Sequence, residues 1–213
     1  NKHHTPVLCG ELEAFTVDYE RRTQGYLIPL TIPSGKKVAV IGAGPAGLGC
    51  TDILLQKGHA VTVFDAKPAP GGLLVYGIPN FKLAKDVWRE KWEEFERAGA
   101  TFVPNTYIRK DKTIDQLFAE GSDAVFIGVG SEIDAKMEEA PGTDLPGVYE
   151  ATDFLIRGNI PEDQLPSDMK KPLEIGKRGV VVGGGDTASD CLRTAIRLGA
   201  EEVTCLYRRT EKE

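Results

Sequence analysis

A short apolar run, a glycine turn and a helical stretch follow one another twice in this chain, and that repeat limits the fold more than any other feature. Val38-Ala39-Val40-Ile41 runs into Gly42-Ala43-Gly44-Pro45-Ala46-Gly47, and Val180-Val181-Val182 runs into Gly183-Gly184-Gly185-Asp186-Thr187-Ala188. Short β-branched runs of this kind read as strands covered on both faces, hence parallel. The spacing Gly42-x-Gly44-x-x-Gly47 between strand and helix has a physical use. Gly42 permits the tight turn, Gly44 lets a pyrophosphate approach the backbone, and Gly47 lets helix and strand pack closely. Phosphates then rest on the free N–H groups of the helix N-terminus, where the dipole favours negative charge.

Each helix leads to a second strand, 59–64 ending at Asp65 and 203–206 ending at Tyr207, with one extra residue between landmarks in the second copy. Two widely separated copies argue for two nucleotide-binding units in series rather than a solenoid. The rest of the chain fits around them. Residues 1–35 are a lead-in with a short helix around 10–22, and the first fingerprint helix runs through about Lys57 and stops at Gly58. Residues 66–80, rich in Gly and Pro, read as loop. A helix over 83–98 places Leu83, Val87, Trp88, Trp92 and Phe95 along one face, the spacing of core residues and not of a base-stacking platform. Strands follow at Thr101-Phe102-Val103 and at Ala124-Val125-Phe126-Ile127. Residues 157–178 are a polar connector, and the second fingerprint helix runs to about Leu198. Strands alternating with helices make the fold class α/β, with two Rossmann-like dinucleotide-binding domains.

The chain carries a formal net charge of -6 and shows no basic stripe, so nucleic acid is not an expected partner. No apolar run approaches the roughly 20 residues that span a bilayer, and nothing behind Asn1-Lys2-His3-His4 resembles a signal peptide. Cys50, Cys191 and Cys205 fall where small apolar residues would serve, and no Cys-x-x-Cys occurs. With Cys9 they are expected to be reduced core thiols of a cytoplasmic protein, without a disulfide frame, a metal site or a redox pair. The histidines, His3, His4 and His59, suggest no Ser/His/Asp arrangement, and His59 reads as solvent-facing.

Asp65 ends its strand where a carboxylate can accept from ribose hydroxyls. The following loop, 70–79, pairs adjacent glycines with a markedly apolar stretch, which suits an extended ligand with a flat ring needing an apolar floor. Here the sequence resembles the small (beta) subunit of NADPH-dependent glutamate synthase and its relatives, among them the large subunit of ferredoxin:NADP transhydrogenase and the N-terminal half of dihydropyrimidine dehydrogenase. The resemblance rests on residues 40–48, the string GGLLVYGIPNFKL at 71–83, residues 123–130, PGTDLPGVYEATDFL at 141–155, and residues 183–209. It implies an FAD site lined by Gly42, Gly44, Asp65, Gly72, Gly77 and Gly130. Further candidates for that site are Pro45, Ala46, Ala66, Gly71, Leu73, Ile78, Leu83, Ile108, Gly128 and Val129.

The second unit replaces the strand-end carboxylate with Tyr207-Arg208-Arg209. A carboxylate there would accept from the 2′-hydroxyl of NADH and repel a 2′-phosphate, whereas arginines offer fork-shaped, charge-assisted donors to it. NADPH is therefore favoured over NADH, with Gly183, Gly185, Asp186, Thr187, Ala188, Arg208 and Arg209 as candidate residues. The expected domains are a lead-in (1–35), an FAD-binding domain (36–156), the connector (157–178) and an incomplete NADPH-binding domain (179–213).

The implied activity is hydride transfer from NADPH to FAD and onward to an iron–sulfur centre or a larger partner subunit. That chemistry belongs to the cofactors, so no acid–base side chain is nominated. A stand-alone NADPH-dependent flavin reductase and a non-catalytic nucleotide-binding remnant are the alternatives. Residues 9–15 resemble the tail of the iron–sulfur domain that these relatives carry, and the chain is expected to be a fragment of a longer polypeptide.

Overall fold

The computed structural model describes residues 6–209, apart from Tyr26, Leu30, Glu132, Ala135, Lys136, Glu138 and Glu139. His3, His4 and residues 210–213 lie outside the described residues. Helix α1 (Cys9–Thr23) precedes strand β1 (Lys37–Ile41), helix α2 (Pro45–Gln56), strand β2 (Ala60–Phe64), the single-turn helix α3 (Leu73–Tyr76), helix α4 (Lys85–Arg97) and strand β3 (Thr101–Val103). Helix α5 (Ile114–Ala119), strand β4 (Ala124–Ile127) and helix α6 (Ala151–Asn159) follow. Strand β5 (Arg178–Val182), helix α7 (Asp186–Arg197) and strand β6 (Glu202–Leu206) come last. All six strands fall where the apolar runs predict them, and the architecture is α/β.

The first four strands form a parallel sheet in the order β3-β2-β1-β4. Because the chain winds one way from β1 through β3 and then returns to place β4 on the other side of β1, the direction reverses at β1. That switch point opens a crevice at the carboxyl ends of β1 and β4. One face of the sheet packs Val40, Val63, Leu48, Trp92 and Phe95 with α2 and α4, and Trp92 meets Phe95 and Phe102 edge-on at 5.9 and 5.3 Å. The other face packs Ala39, Ile41 and Phe64 against Leu117 of α5. A capping box of Thr113 with Gln116 starts α5.

Strands β5 and β6 form a separate parallel pair, against which α7 packs. Helix α6 lies between the two parts. Its Phe154 and Leu155 pack against Cys191, Ala195 and Ala200, while Ile156, with Ile160 and Leu165, packs against Tyr76 of α3. A Cβ on Gly158 would come within 2.8 Å of Thr194, so glycine permits this close approach of α6 to α7.

Three expectations need correction. Residues 66–80 are not all loop, because Leu73–Tyr76 close one helical turn with Tyr76 buried inside it. The segment 157–178 is not irregular from its start. Residues 157–159 finish α6, where Arg157 pairs with Asp153 one turn back at 2.6 Å and donates to the Lys171 and Pro172 carbonyls of the following segment. Cys9, on the exposed helix α1, and Cys205 are not core thiols: both are exposed, whereas Cys191 is buried and Cys50 half-buried. Among the described residues β6 pairs only with β5, and its free edge leaves Cys205 open. His59 is only half-exposed, with its ring nitrogen 2.6 Å from the Ser34 hydroxyl. Helix α1 lies where expected and is tethered by Arg21 to Glu90 and Asp86 of α4, while Leu12, Phe15 and Tyr19 stay exposed.

Candidate functional site

The two glycine turns share one backbone design. Gly42 N–H donates to Phe64 O at 2.8 Å, and Gly183 N–H donates to Leu206 O at 2.9 Å. Gly44 and Gly185 cap their helices with nearly the same dihedrals, φ -79 and ψ -177 against φ -89 and ψ -176. Leu48 N–H then closes on Gly44 O, and Ser189 N–H on Gly185 O, both at 3.0 Å. In each copy the first helical turn faces outward, with Pro45 and Ala46 exposed in one and Asp186 and Thr187 exposed in the other. Pro45, the first helical residue, has no N–H to offer a ligand.

The first turn is shaped by what crowds it. A Cβ on Gly47 would stand 1.8 Å from Gly42 O, and one on Gly42 (φ +97) would stand 2.4 Å from Gly128 O. Both glycines therefore serve close packing of β1, α2 and the segment after β4. Gly44 is different: an added Cβ would meet only Gly72 Cα, at 3.9 Å. Its lack of a side chain leaves the space beside the helix N-terminus that a pyrophosphate needs. Gly72 (φ +52) is itself packed onto Gly44, where a Cβ would come within 2.6 Å, and Gly71 N–H donates to Ala43 O at 2.7 Å. Loop 66–80 and the fingerprint turn are thus one cradle. Gly128, Val129 and Gly130 border it from β4, with Val129 exposed and Gly130 at φ +67.

Asp65 holds this cradle together. Its carboxylate accepts from Ala43 N–H at 2.6 Å and from Lys67 N–H at 2.8 Å. Ala66, next along, is exposed at the rim. Ile108 is half-buried among Ile41, Phe64 and Leu117, under the end of β2.

The apolar loop is pinned by polar groups that sequence reasoning missed. Tyr76 Oη accepts from Ala69 N–H at 2.9 Å, and Trp88 Nε1 donates to Pro70 O at 3.1 Å. Trp88 therefore does more than pack in the core. Lys85 donates to Leu74 O and Ile78 O, capping the carbonyl end of α3 between Leu73, Gly77 and Ile78, just past Leu83. A signal was present: Lys85 is the first residue of α4, where a cation opposes the helix dipole.

Burial lowers the Lys85 amine to about 8. The unfolded chain thus holds more protons than the folded one between pH 8 and the ordinary lysine value. The cost of burying the charge is fully present below pH 8 and fades as pH rises through that window. In thermal melts, wild type should gain on Lys85→Met from pH 7 to pH 10. A gap independent of pH would show that the ammonium is not desolvated.

Among the described residues no carboxylate braces the second turn. The Tyr207 ring lies against Gly184 instead, so close that a Cβ there would come within 2.6 Å. Gly183 (φ +133) faces Ala188, where a Cβ would come to 3.3 Å, and Gly185 has open space around it. Arg208 and Arg209 follow Tyr207 just past the end of β6, both exposed, as are Gly185, Asp186 and Thr187 of the turn, while Ala188 is buried.

Two outward-facing helix N-termini, each framed by a glycine turn and a parallel strand, define an α/β protein of the two-unit, dinucleotide-dependent oxidoreductase type. The chain belongs to the pyridine nucleotide-disulphide oxidoreductase family, whose model matches residues 36–212. Dependence on FAD and NADP(H), expected from the sequence, goes with that family. Glutamate synthase [NADPH] small chain of Halomonas elongata is 51% identical over 181 residues, 83% of this chain and 37% of that protein. NADP(+)-dependent formate dehydrogenase subunit beta of Moorella thermoacetica is 43% identical over 187 residues, 85% of this chain and 25% of that protein. Among solved structures, Mycobacterium tuberculosis FprA in complex with NADPH aligns with a TM-score of 0.67 at 25% identity, over 84% of this chain and 44% of FprA. The resemblance to the glutamate synthase small subunit is thereby upheld. The chain spans about a third of the length of the first relatives it matches. Among the described residues no helix is long and apolar enough to cross a membrane.

Proposed function

We propose that the first unit holds FAD and the second holds NADPH, and that the protein passes reducing equivalents from NADPH through the flavin to an acceptor on another subunit or a fused domain. One observation carries this reading. Two turns of the same backbone geometry end differently, at Asp65 in one copy and at Tyr207-Arg208-Arg209 in the other. The first suits the free ribose of FAD, and the second suits a 2′-phosphate. The donors at Ala46 and at the turn 183–187 would take the two pyrophosphates, with Gly44, Gly72 and Gly128–Gly130 leaving room beside the first. Leu73, Gly77 and Ile78 would supply the apolar floor, held by Lys85, Tyr76 and Trp88. When bound, the two cofactors supply hydride chemistry, and this chain's residues bind, orient and keep water from them.

A partner acceptor is supported by the names of the relatives, a small chain in one case and a beta subunit in the other. The two names differ in the reaction served, so the acceptor is proposed only by class, as an iron–sulfur centre or partner subunit. The domain limits 36–156 and 179–213 are proposed with the reading, α6 being the element shared between them.

The purified protein should carry a flavin band near 450 nm and oxidise NADPH faster than NADH. Oxidation should accelerate when an iron–sulfur protein acceptor is added. A flavoprotein that turns over only with small-molecule acceptors would make it a stand-alone reductase. No flavin band at all would make it a nucleotide-binding remnant.

A further inference from the structure

Two adjacent residues of the flavin-side loop reach across to the helix that would carry NADPH. Lys82 Nζ lies 2.7 Å from Asp190 Oδ1 and 3.8 Å from Asp186 Oδ1, both on α7. The Phe81 ring sits between the guanidinium groups of Arg193 and Arg197, with its centroid 4.1 and 4.0 Å from them. Asp186 opens α7, Asp190 lies one turn on, and the arginines follow along the same helix. These contacts run from the phosphate-binding end of α7 down its length.

The Asp190 side chain is only 9% exposed, while that of Asp186 is fully exposed. A buried carboxylate without a cation is strongly unfavourable. This one also lies one turn from a helix N-terminus whose partial positive charge is wanted for a ligand's phosphates. Left alone, Asp190 would offset that charge and repel the phosphates. Among the described residues Lys82 is the cation paired with it, and Lys82 comes from the other unit. The Phe81 contacts with Arg193 and Arg197 hold the same loop on α7 further along the helix.

We propose that Lys82, steadied by Phe81, is a positioning residue for NADPH. It seats α7 against the flavin loop and neutralises Asp190, so that the affinity of the second unit for its phosphates is set from the first. This rests on the reading of α7 as the NADPH helix. It makes the string at 71–83 a two-sided element, with glycines toward the flavin site and Phe81-Lys82 toward the pyridine nucleotide.

The test uses the flavin-loaded protein and NADP⁺ as probe, with binding followed by titration calorimetry and flavin content by absorbance. Lys82→Met should keep its flavin but bind NADP⁺ about tenfold more weakly, the scale of one uncompensated carboxylate near the phosphates. With NADPH, KM should rise by a similar factor while kcat changes little. Removing the stranded carboxylate as well, in Lys82→Met/Asp190→Asn, should restore most of the affinity. That double variant also guards against a single variant that does not fold. Lys82→Met binding NADP⁺ like wild type would overturn the proposal, as would a double variant no better than the single. Loss of flavin with unchanged NADP⁺ affinity would confine Lys82 to the flavin loop. A wild-type protein that holds FAD but no NADP⁺ overturns the NADPH reading itself, and the proposal with it.

Discussion

Gly47→Ala should abolish flavin binding by distorting and destabilising the first unit, whereas Gly44→Ala should abolish it in a protein of unchanged stability. The two residues sit three apart in one motif, yet their surroundings differ. A methyl on Gly47 would occupy space 1.8 Å from Gly42 O, which is backbone and cannot swing aside. Relieving it means moving α2 off β1, through a core that includes Val40 and Leu48. Overpacking typically costs about 1–3 kcal/mol, and a clash with backbone in a closed core belongs at the upper end. A lowered melting temperature should therefore accompany the missing 450 nm band. A methyl on Gly44 meets Gly72 Cα at 3.9 Å, an ordinary contact, at a φ of -79 that alanine adopts freely. Its effect should fall on the ligand alone, with the melting temperature of the flavin-free protein unchanged. Equal destabilisation by the two substitutions would mean that Gly44 too is structural and that no ligand needs its open side.

That contrast marks where the sequence is informative and where it is not. β1 and β2 are read directly from their apolar runs because both faces of their sheet are covered, so no alternation dilutes the signal. The fingerprint turns are equally plain, since strand, glycine spacing and helix agree at every level. α3 is hidden because four apolar residues between glycines carry no periodicity, and only Tyr76 turning inward makes them a helical turn. α6 is hidden because Arg157 and Asn159 make its last turn look like connector. Cys205 is misplaced because a β-branched run does not say how many neighbours its strand has.

The candidate site shows the same division. Its glycines and Asp65 are legible from spacing, although the structure shows Asp65 bracing the backbone of Ala43, a role the spacing does not announce. Lys82, Phe81 and Asp190 were beyond sequence reasoning, because they meet only when two units more than a hundred residues apart along the chain dock. Lys85 sits between these cases. A lysine at the first position of a helix is out of place electrostatically, and the structure supplies the carbonyls of Leu74 and Ile78 that hold it there.

The second large effect concerns Arg208 and Arg209. Replacing both with alanine should raise KM for NADPH about 100-fold and leave NADH nearly untouched, because two exposed charge-assisted contacts to a 2′-phosphate contribute about 1.5 kcal/mol each, the low end for contacts to a charged group. Either single substitution should raise it about tenfold. Both arginines are exposed, so their removal leaves the packing of β6 and of Tyr207 on Gly184 in place. Flavin content, governed by the other unit, should not change. Adding salt should weaken NADPH binding to wild type and hardly affect the double variant, since an exposed ion contact is screened. The reciprocal change tests the same point from the other side. Arg208→Asp, in the Arg209→Ala background, should improve NADH relative to NADPH by offering an acceptor to a free 2′-hydroxyl. If the double alanine variant lost NADH and NADPH equally, the arginines would be contacting the shared pyrophosphate. The preference for the phosphorylated nucleotide would then have to arise elsewhere on the second unit.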